Sequence, residues 1–306
     1  MSGPFRDLSQ RMSNWGRWGD SDQLGTLNLI TDALRIAAFA TVREGQAFAL
    51  ALDLNSEGPQ PADSSRQNIV HTMTRNGSST PEAGGFLYFD DLVTLHTHAS
   101  TQLDALSHVA YDGLLYNGHP VGGVTDAGAA NLGIETLREG IIGRGVLLDL
   151  PRSRGEEVLQ ADHVITPGDI EDCLLAQRTT VGAGDCVLIR TGWITHFIHR
   201  RDRSTYLSKE PGIGLEAAAW FRDRDVAFLA SDNWAVEVVP AEHQVETMPV
   251  HCLLVRDAGM PLGEMFDLEH LAVACGEGRR WEFLFVCSVL PITGAVGAPV
   301  APLAII

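Results

Sequence analysis

Five short apolar runs, "AFALALDL", "RGVLLDL", "DCVLIRTGW", "DVAFLASDNW" and "EFLFVCSVL", recur along this chain between clusters of turn residues. Each has the length and composition of a β-strand. Helical patterns lie between several of them. Thr166 and Pro167 open "TPGDIEDCLLAQ" with a capping hydroxyl, a proline whose missing N–H is harmless at the first helical position, and acids in the first turn. "GLEAAAWFRDR" and "FDLEHLAVAC" have amphipathic spacing. Strands mixed with helices throughout one chain predict an α/β or α+β fold. No repeat, low-complexity tract or linker divides the 306 residues, so a single domain spanning 1–306 is expected, its first residues free to act as an arm.

The formal charge of -17 excludes nucleic acid and anionic membrane as natural partners, since both would repel it, and leaves a small-molecule substrate. Five scattered cysteines without a C-x-x-C pair, and an N-terminus "MSGPFRDLSQ" without an apolar core, point to a reducing cytoplasm. Residues 283–306 carry no charge and could span a bilayer by length, but Pro291, Pro299, Pro302 and two glycines interrupt them. They read as a buried strand from Phe283 to Leu290, a loop and a second short strand. "GIIGRG", from Gly140, precedes a strand instead of following one, which excludes a dinucleotide loop. Residues 54–67 read as an exposed loop, a lid or a dimer arm.

Chemistry concentrates in "HTHASTQLDALSH", residues 96–108. Fully extended, His98 and Asp104 would stand about 20 Å apart, at roughly 3.3 Å per residue, too far for one ion. A turn at "AST" is therefore expected. Gln102 and Asp104, two apart, point to one side of an extended segment, and Asp104 and His108, four apart, share a face if the chain turns helical. His96 and His98 share a face of the preceding strand, so at least one reaches the site. Imidazole and oxygen donors without cysteine suit an open divalent-metal site with room for water. In "PVHCLLVRDAGMPLGEMFDLEHLA", His251 and Glu264 flank a turn and could project into one cleft. Alone, they read more readily as a satisfied histidine and a surface glutamate.

The pattern His98-x-Ser-Thr-Gln102-x-Asp104-x-x-x-His108, with His251 and Glu264 far downstream, resembles the signature of the cyclase family of metal-dependent hydrolases, which includes bacterial kynurenine formamidase and isatin hydrolase. "NWGRWGDSDQLGTLNLI", "YDGLLYNG" and "GAPVAPLAI" add to the likeness. The resemblance implies a swivelling β/β/α domain, with a mixed sheet or partly open barrel flanked by helices, assembled as a homodimer or homotetramer. It implies a divalent ion, zinc or manganese, held by some of His98, Gln102, Asp104, His108, His251 and Glu264. Three positions depart from the signature: Ser100 replaces glycine, Gln102 the second histidine and Leu106 the proline. A neutral amide ligand favours one ion over two. Tyr111 stands where the formamidases carry a further histidine.

The expected reaction is hydrolysis of a cyclic amide, lactone or N-formyl compound by metal-activated water. Glu264 or His251 would be the general base, and Tyr111 or His119 would protonate the leaving group. Asp232 and Trp234, at the end of a strand, would face substrate or serve the structure. A metal-dependent lyase, dehydratase or cyclase is the rival reading.

Overall fold

The structure, a computed structural model, describes residues 3–242 and 247–306. One sheet collects nine strands: β1 (Ala47–Ala49), β2 (Gln102–Asp104), β3 (Ile141–Asp149), β4 (Cys186–Arg190), β5 (Phe228–Ser231), β6 (Leu262–Glu264), β7 (Glu282–Cys287), β8 (Gly297–Pro299) and β9 (Leu303–Ile305). Their order is β1-β9-β7-β3-β4-β5-β6-β2-β8. The central strands β3 to β6 are parallel, and every pairing outside them is antiparallel. The end strands β1 and β8 do not pair with each other, so the sheet remains open.

The central strands are apolar at nearly every position because both faces are covered. Strand periodicity sends alternate side chains to opposite cores. Val146, Leu148, Val187, Ile189 and Leu229 join one cluster, with residues from α2 (Pro167–Gln177) and α3 (Leu215–Asp223), and with Phe5 and Met12 from α1 (Gly3–Met12). Leu147, Cys186, Leu188, Phe228 and Ala230 join the other, with Leu271, Ala272 and Cys275 of α4 (Glu269–Gly278). Thr166 caps α2 in a complete capping box with Asp169, as its sequence predicts.

Three expectations need correction. Residues from Gly3 onward form a helix with Phe5 and Met12 in the core, not a free arm. The C-terminal segment makes three strands instead of two, β7 ending at Cys287 and not Leu290, with pairing beyond it reduced to an isolated bridge between Val289 and Val300. Before the motif, the strand ends at Thr94, pairing in an exposed ribbon with Val70–Arg75, so His96 and His98 lie beyond it. No helix among the described residues is long and apolar enough to cross a membrane.

Candidate metal centre

The motif becomes a site because β2 is clamped on both edges. Gln102 lies opposite Glu264 of β6, and Asp104 opposite Gly297 of β8. The Thr101 hydroxyl donates to the Met265 carbonyl at 2.6 Å and accepts from the Leu52 amide at 2.9 Å, fixing the strand's start. The chain turns over residues 97–101, as the reach argument requires. After Asp104 it makes a single turn, not a helix, closed by the His108 amide donating to the Ala105 carbonyl at 2.9 Å. That turn suffices to stack the His98 and His108 rings, 4.2 Å between centroids.

Asp104 is the hub. Its Oδ1 lies 3.3 Å from His98 Nε2 and 3.8 Å from His108 Nε2, and its Oδ2 lies 3.5 Å from His251 Nε2. His251 Nε2 lies 3.1 Å from Glu264 Oε1, while the Gln102 amide donates to Glu264 Oε2. Two trios, His98–Asp104–His108 and Asp104–His251–Glu264, each bring ligand atoms within 4.8 Å of one another, sharing Asp104. The His108 side chain is 24% exposed, against 9% or less for His98, Asp104, His251 and Glu264, so the site opens on the His108 side.

These residues fit a cation. Both carboxylate oxygens of Asp104, His98 Nε2 and Gln102 Oε1 are buried without a hydrogen-bond partner among the described residues. Leaving such groups unmatched costs several kcal/mol, more for a charge. Electron-pair donors converge here with few N–H groups to meet them, and imidazole with carboxylate suits zinc, manganese or a similar divalent ion. The electrostatics agree. Burial would raise Asp104, but the facing imidazoles of His108, His251 and His98 hold it well below the ordinary carboxylate range. Glu264 is pushed up by burial and by the Asp104 charge beside it. Burial brings His108 down to about 4, leaving its ring neutral and able to ligate.

Sequence reasoning missed Glu237. Its Oε1 accepts from His251 Nδ1 at 2.6 Å and from the His251 amide at 2.9 Å, and its Oε2 accepts from the Val250 amide at 3.1 Å. The proton on Nδ1 leaves Nε2 facing Asp104 and Glu264. Burial would lower His251, but Asp104, Glu237 and Glu264 outweigh it and keep the imidazole well above its ordinary value. The one available signal was an acid inside the apolar run "WAVEVVP". Left-handed backbone at Val236, Met248 and Met265 flanks Glu237, His251 and Glu264, and such strain gathers where surrounding structure dictates a side chain's aim. Gly297 is required by proximity, since a methyl group there would overlap His98 Nε2.

The remaining candidates sit elsewhere. His96 Nδ1 accepts from the Gln67 amide at 3.0 Å, turned towards the 54–67 loop. The Tyr111 hydroxyl is bonded to Ser9 at 2.6 Å and Asp257 at 2.8 Å under the Arg256 guanidinium; burial pushes it up to about 12, and it makes no contact with the Asp104 cluster. His119 follows a short 3-10 turn, its Nε2 buried without a partner among the described residues and without a contact to the cluster. Asp232 serves as a buried staple: it accepts from the Thr191 amide and hydroxyl and the Gly192 amide at 2.6 to 2.9 Å. Trp234 packs against the Leu52, Trp193 and Met265 cluster beside the site, its indole Nε1 buried without a partner among the described residues.

A family model described as "Putative cyclase" matches residues 7–238. A crystal structure of a novel cyclase shares 35% identity across 97% of this chain and 99% of its own, with a TM-score of 0.89. The chain belongs to this cyclase family. The fold is also that of isatin hydrolase A from Labrenzia aggregata bound to benzyl benzoate, at 20% identity, 87% and 94% coverage and a TM-score of 0.63. A predicted metal-dependent hydrolase from Bacillus stearothermophilus aligns at 17% identity, 85% and 97% coverage and a TM-score of 0.56. No curated protein matches.

Proposed function

We propose that this protein is a metal-dependent hydrolase that opens the acyl carbon–nitrogen or carbon–oxygen bond of a small cyclic amide, lactone or N-formyl compound. The observation that carries the reading is the Asp104 carboxylate, wholly buried, ringed by three imidazoles and with neither oxygen hydrogen-bonded among the described residues. His98 and His108 hold a divalent ion, zinc or manganese, with Asp104 Oδ1, and the unpartnered Gln102 Oε1 completes the donor set. When bound, such an ion supplies Lewis acidity and lowers the pKa of water from about 15.7 towards 7.

The other half of the site moves the proton. Glu264 is the base: its raised affinity for a proton suits that task, and its Oε1 already lies 3.1 Å from His251 Nε2. His251 passes the proton on, its far nitrogen anchored by Glu237 at 2.6 Å. Gln102 holds the second Glu264 oxygen, fixing the carboxylate plane. The isatin hydrolase and the predicted metal-dependent hydrolase that share the fold support hydrolysis over elimination.

The test is a screen of lactones, cyclic amides and N-formyl aromatics in oxygen-18 water. The expected result is turnover that chelation abolishes and a divalent ion restores, with solvent oxygen in the product carboxylate. Full activity after exhaustive chelation refutes the reading. A metal-dependent product without solvent oxygen moves the protein to the lyase or cyclase class.

A further inference from the structure

Arg66 is half-buried, yet no carboxylate forms an ion pair with it among the described residues. Its Nη1 donates to the His98 carbonyl at 3.2 Å, which places the guanidinium on the motif turn. The His98 ring stacks on that of His108, the residue at the site's open side.

The position is built, not incidental. Gln60 Nε2 donates to the Ala99 carbonyl at 3.0 Å, the Ser64 hydroxyl donates to Gln60 Oε1 at 2.9 Å, and the Arg66 amide donates to Ser64 Oγ at 3.1 Å. The Gln67 amide, next along, reaches His96 Nδ1 at 3.0 Å. The 54–67 loop is thus bonded to the motif turn on both sides of Arg66.

Resting on the hydrolase reading, the pairing of charges gives this arginine a purpose. The site's carboxylates, Asp104, Glu264 and Glu237, face its imidazoles and Gln102, and none of them pairs with Arg66 among the described residues. A guanidinium offers five donors in a planar fork and finds its best partner in a carboxylate. A chain of net charge -17 repels anions in general, so an anionic substrate needs a local cation at the entrance.

We propose that Arg66 receives a carboxylate of the substrate, so that the compound hydrolysed carries an anionic group close to its scissile acyl bond. A neutral ring or ester would leave that fork unused.

Matched probes separate this inference from the hydrolase reading. A lactone, a cyclic amide and an N-formyl amino acid are each prepared as the free carboxylate and as the neutral carboxamide. Titration calorimetry on the metal-loaded protein reads affinity, and turnover is followed separately. At least one acid is expected to bind roughly tenfold to a hundredfold tighter than its carboxamide, the scale of a charge-assisted hydrogen bond. Arg66→Gln should erase that preference and Arg66→Lys should keep part of it, while a carboxylate bound to the metal alone would keep its preference in both. If Arg66→Gln weakens acid and carboxamide equally, Arg66 only braces the His98 turn and the inference falls. It falls too if no acid binds better than its carboxamide. Preference without hydrolysis upholds Arg66 and counts against the hydrolase; hydrolysis without preference does the reverse.

Discussion

Two clusters of buried charge sit at the carboxyl ends of the central strands, and they are built in opposite ways. At the ends of β3 and β4, Arg190 grips both oxygens of Glu269 at 2.7 and 2.9 Å and Asp149 Oδ1 at 2.8 Å, while Arg152 takes Asp149 Oδ2 at 2.7 Å. Every charge there meets its opposite within the chain. Across the sheet, at the end of β6, Asp104 and Glu264 share three imidazoles, and Asp104 has no hydrogen bond at either oxygen among the described residues. The first cluster is finished by folding, whereas the second, on the proposed reading, is finished by a cation from outside.

That contrast can be broken at several points. The largest effect belongs to the finished cluster: Asp149→Ala should cost about 3 kcal/mol by chemical denaturation, since it removes a wholly buried carboxylate that pairs with the buried Arg190 and with Arg152. Asp104→Asn in metal-free protein should cost less, because Asp104 meets only imidazoles, at 3.3 Å and beyond, and has no hydrogen bond at either oxygen among the described residues. An Asp104→Asn protein that unfolds as readily as Asp149→Ala would erase the distinction.

Metal removal comes next. Chelation should lower wild-type stability by about 3 to 4 kcal/mol when the ion had been supplied at roughly 100 to 1,000 times its dissociation constant. Asp104→Asn should be indifferent to chelator in the same thermal-shift assay. Equal shifts in both proteins would place any ion elsewhere.

Glu237→Gln probes the orientation of His251. Turnover should fall roughly tenfold to a hundredfold with bound metal retained, the usual scale for a partner that aims a site histidine. Unchanged turnover would show that the Nδ1 contact is ornamental. The smallest effect is at Gly297→Ala, where a methyl group pushes against His98 and metal affinity should drop by about tenfold. Calorimetric titration of the ion into apo-protein decides it.

The parallel centre of the sheet was legible because its runs are apolar from end to end, and α2 announced itself through Thr166, Pro167 and Asp169. The cluster of donors was legible at His98, Gln102, Asp104 and His108, because reach along the chain demands a turn before Gln102. His251 and Glu264 were readable only through family likeness, since residues thirteen apart meet by tertiary structure and not by any local period. Glu237, Arg66 and the Asp149–Arg190–Glu269 cluster escaped for the same reason: partners at long sequence separation leave no spacing to read. Asp232 stayed open between two readings because a polar residue at a strand end signals a site and a staple alike.

The most direct test is elemental analysis of wild-type and Asp104→Asn proteins purified side by side without added metal. The account predicts a stoichiometric divalent ion in the wild type and a background level in the variant, with both chains folded. An equal metal content in the two, or none in a wild type that is fully active, would contradict it.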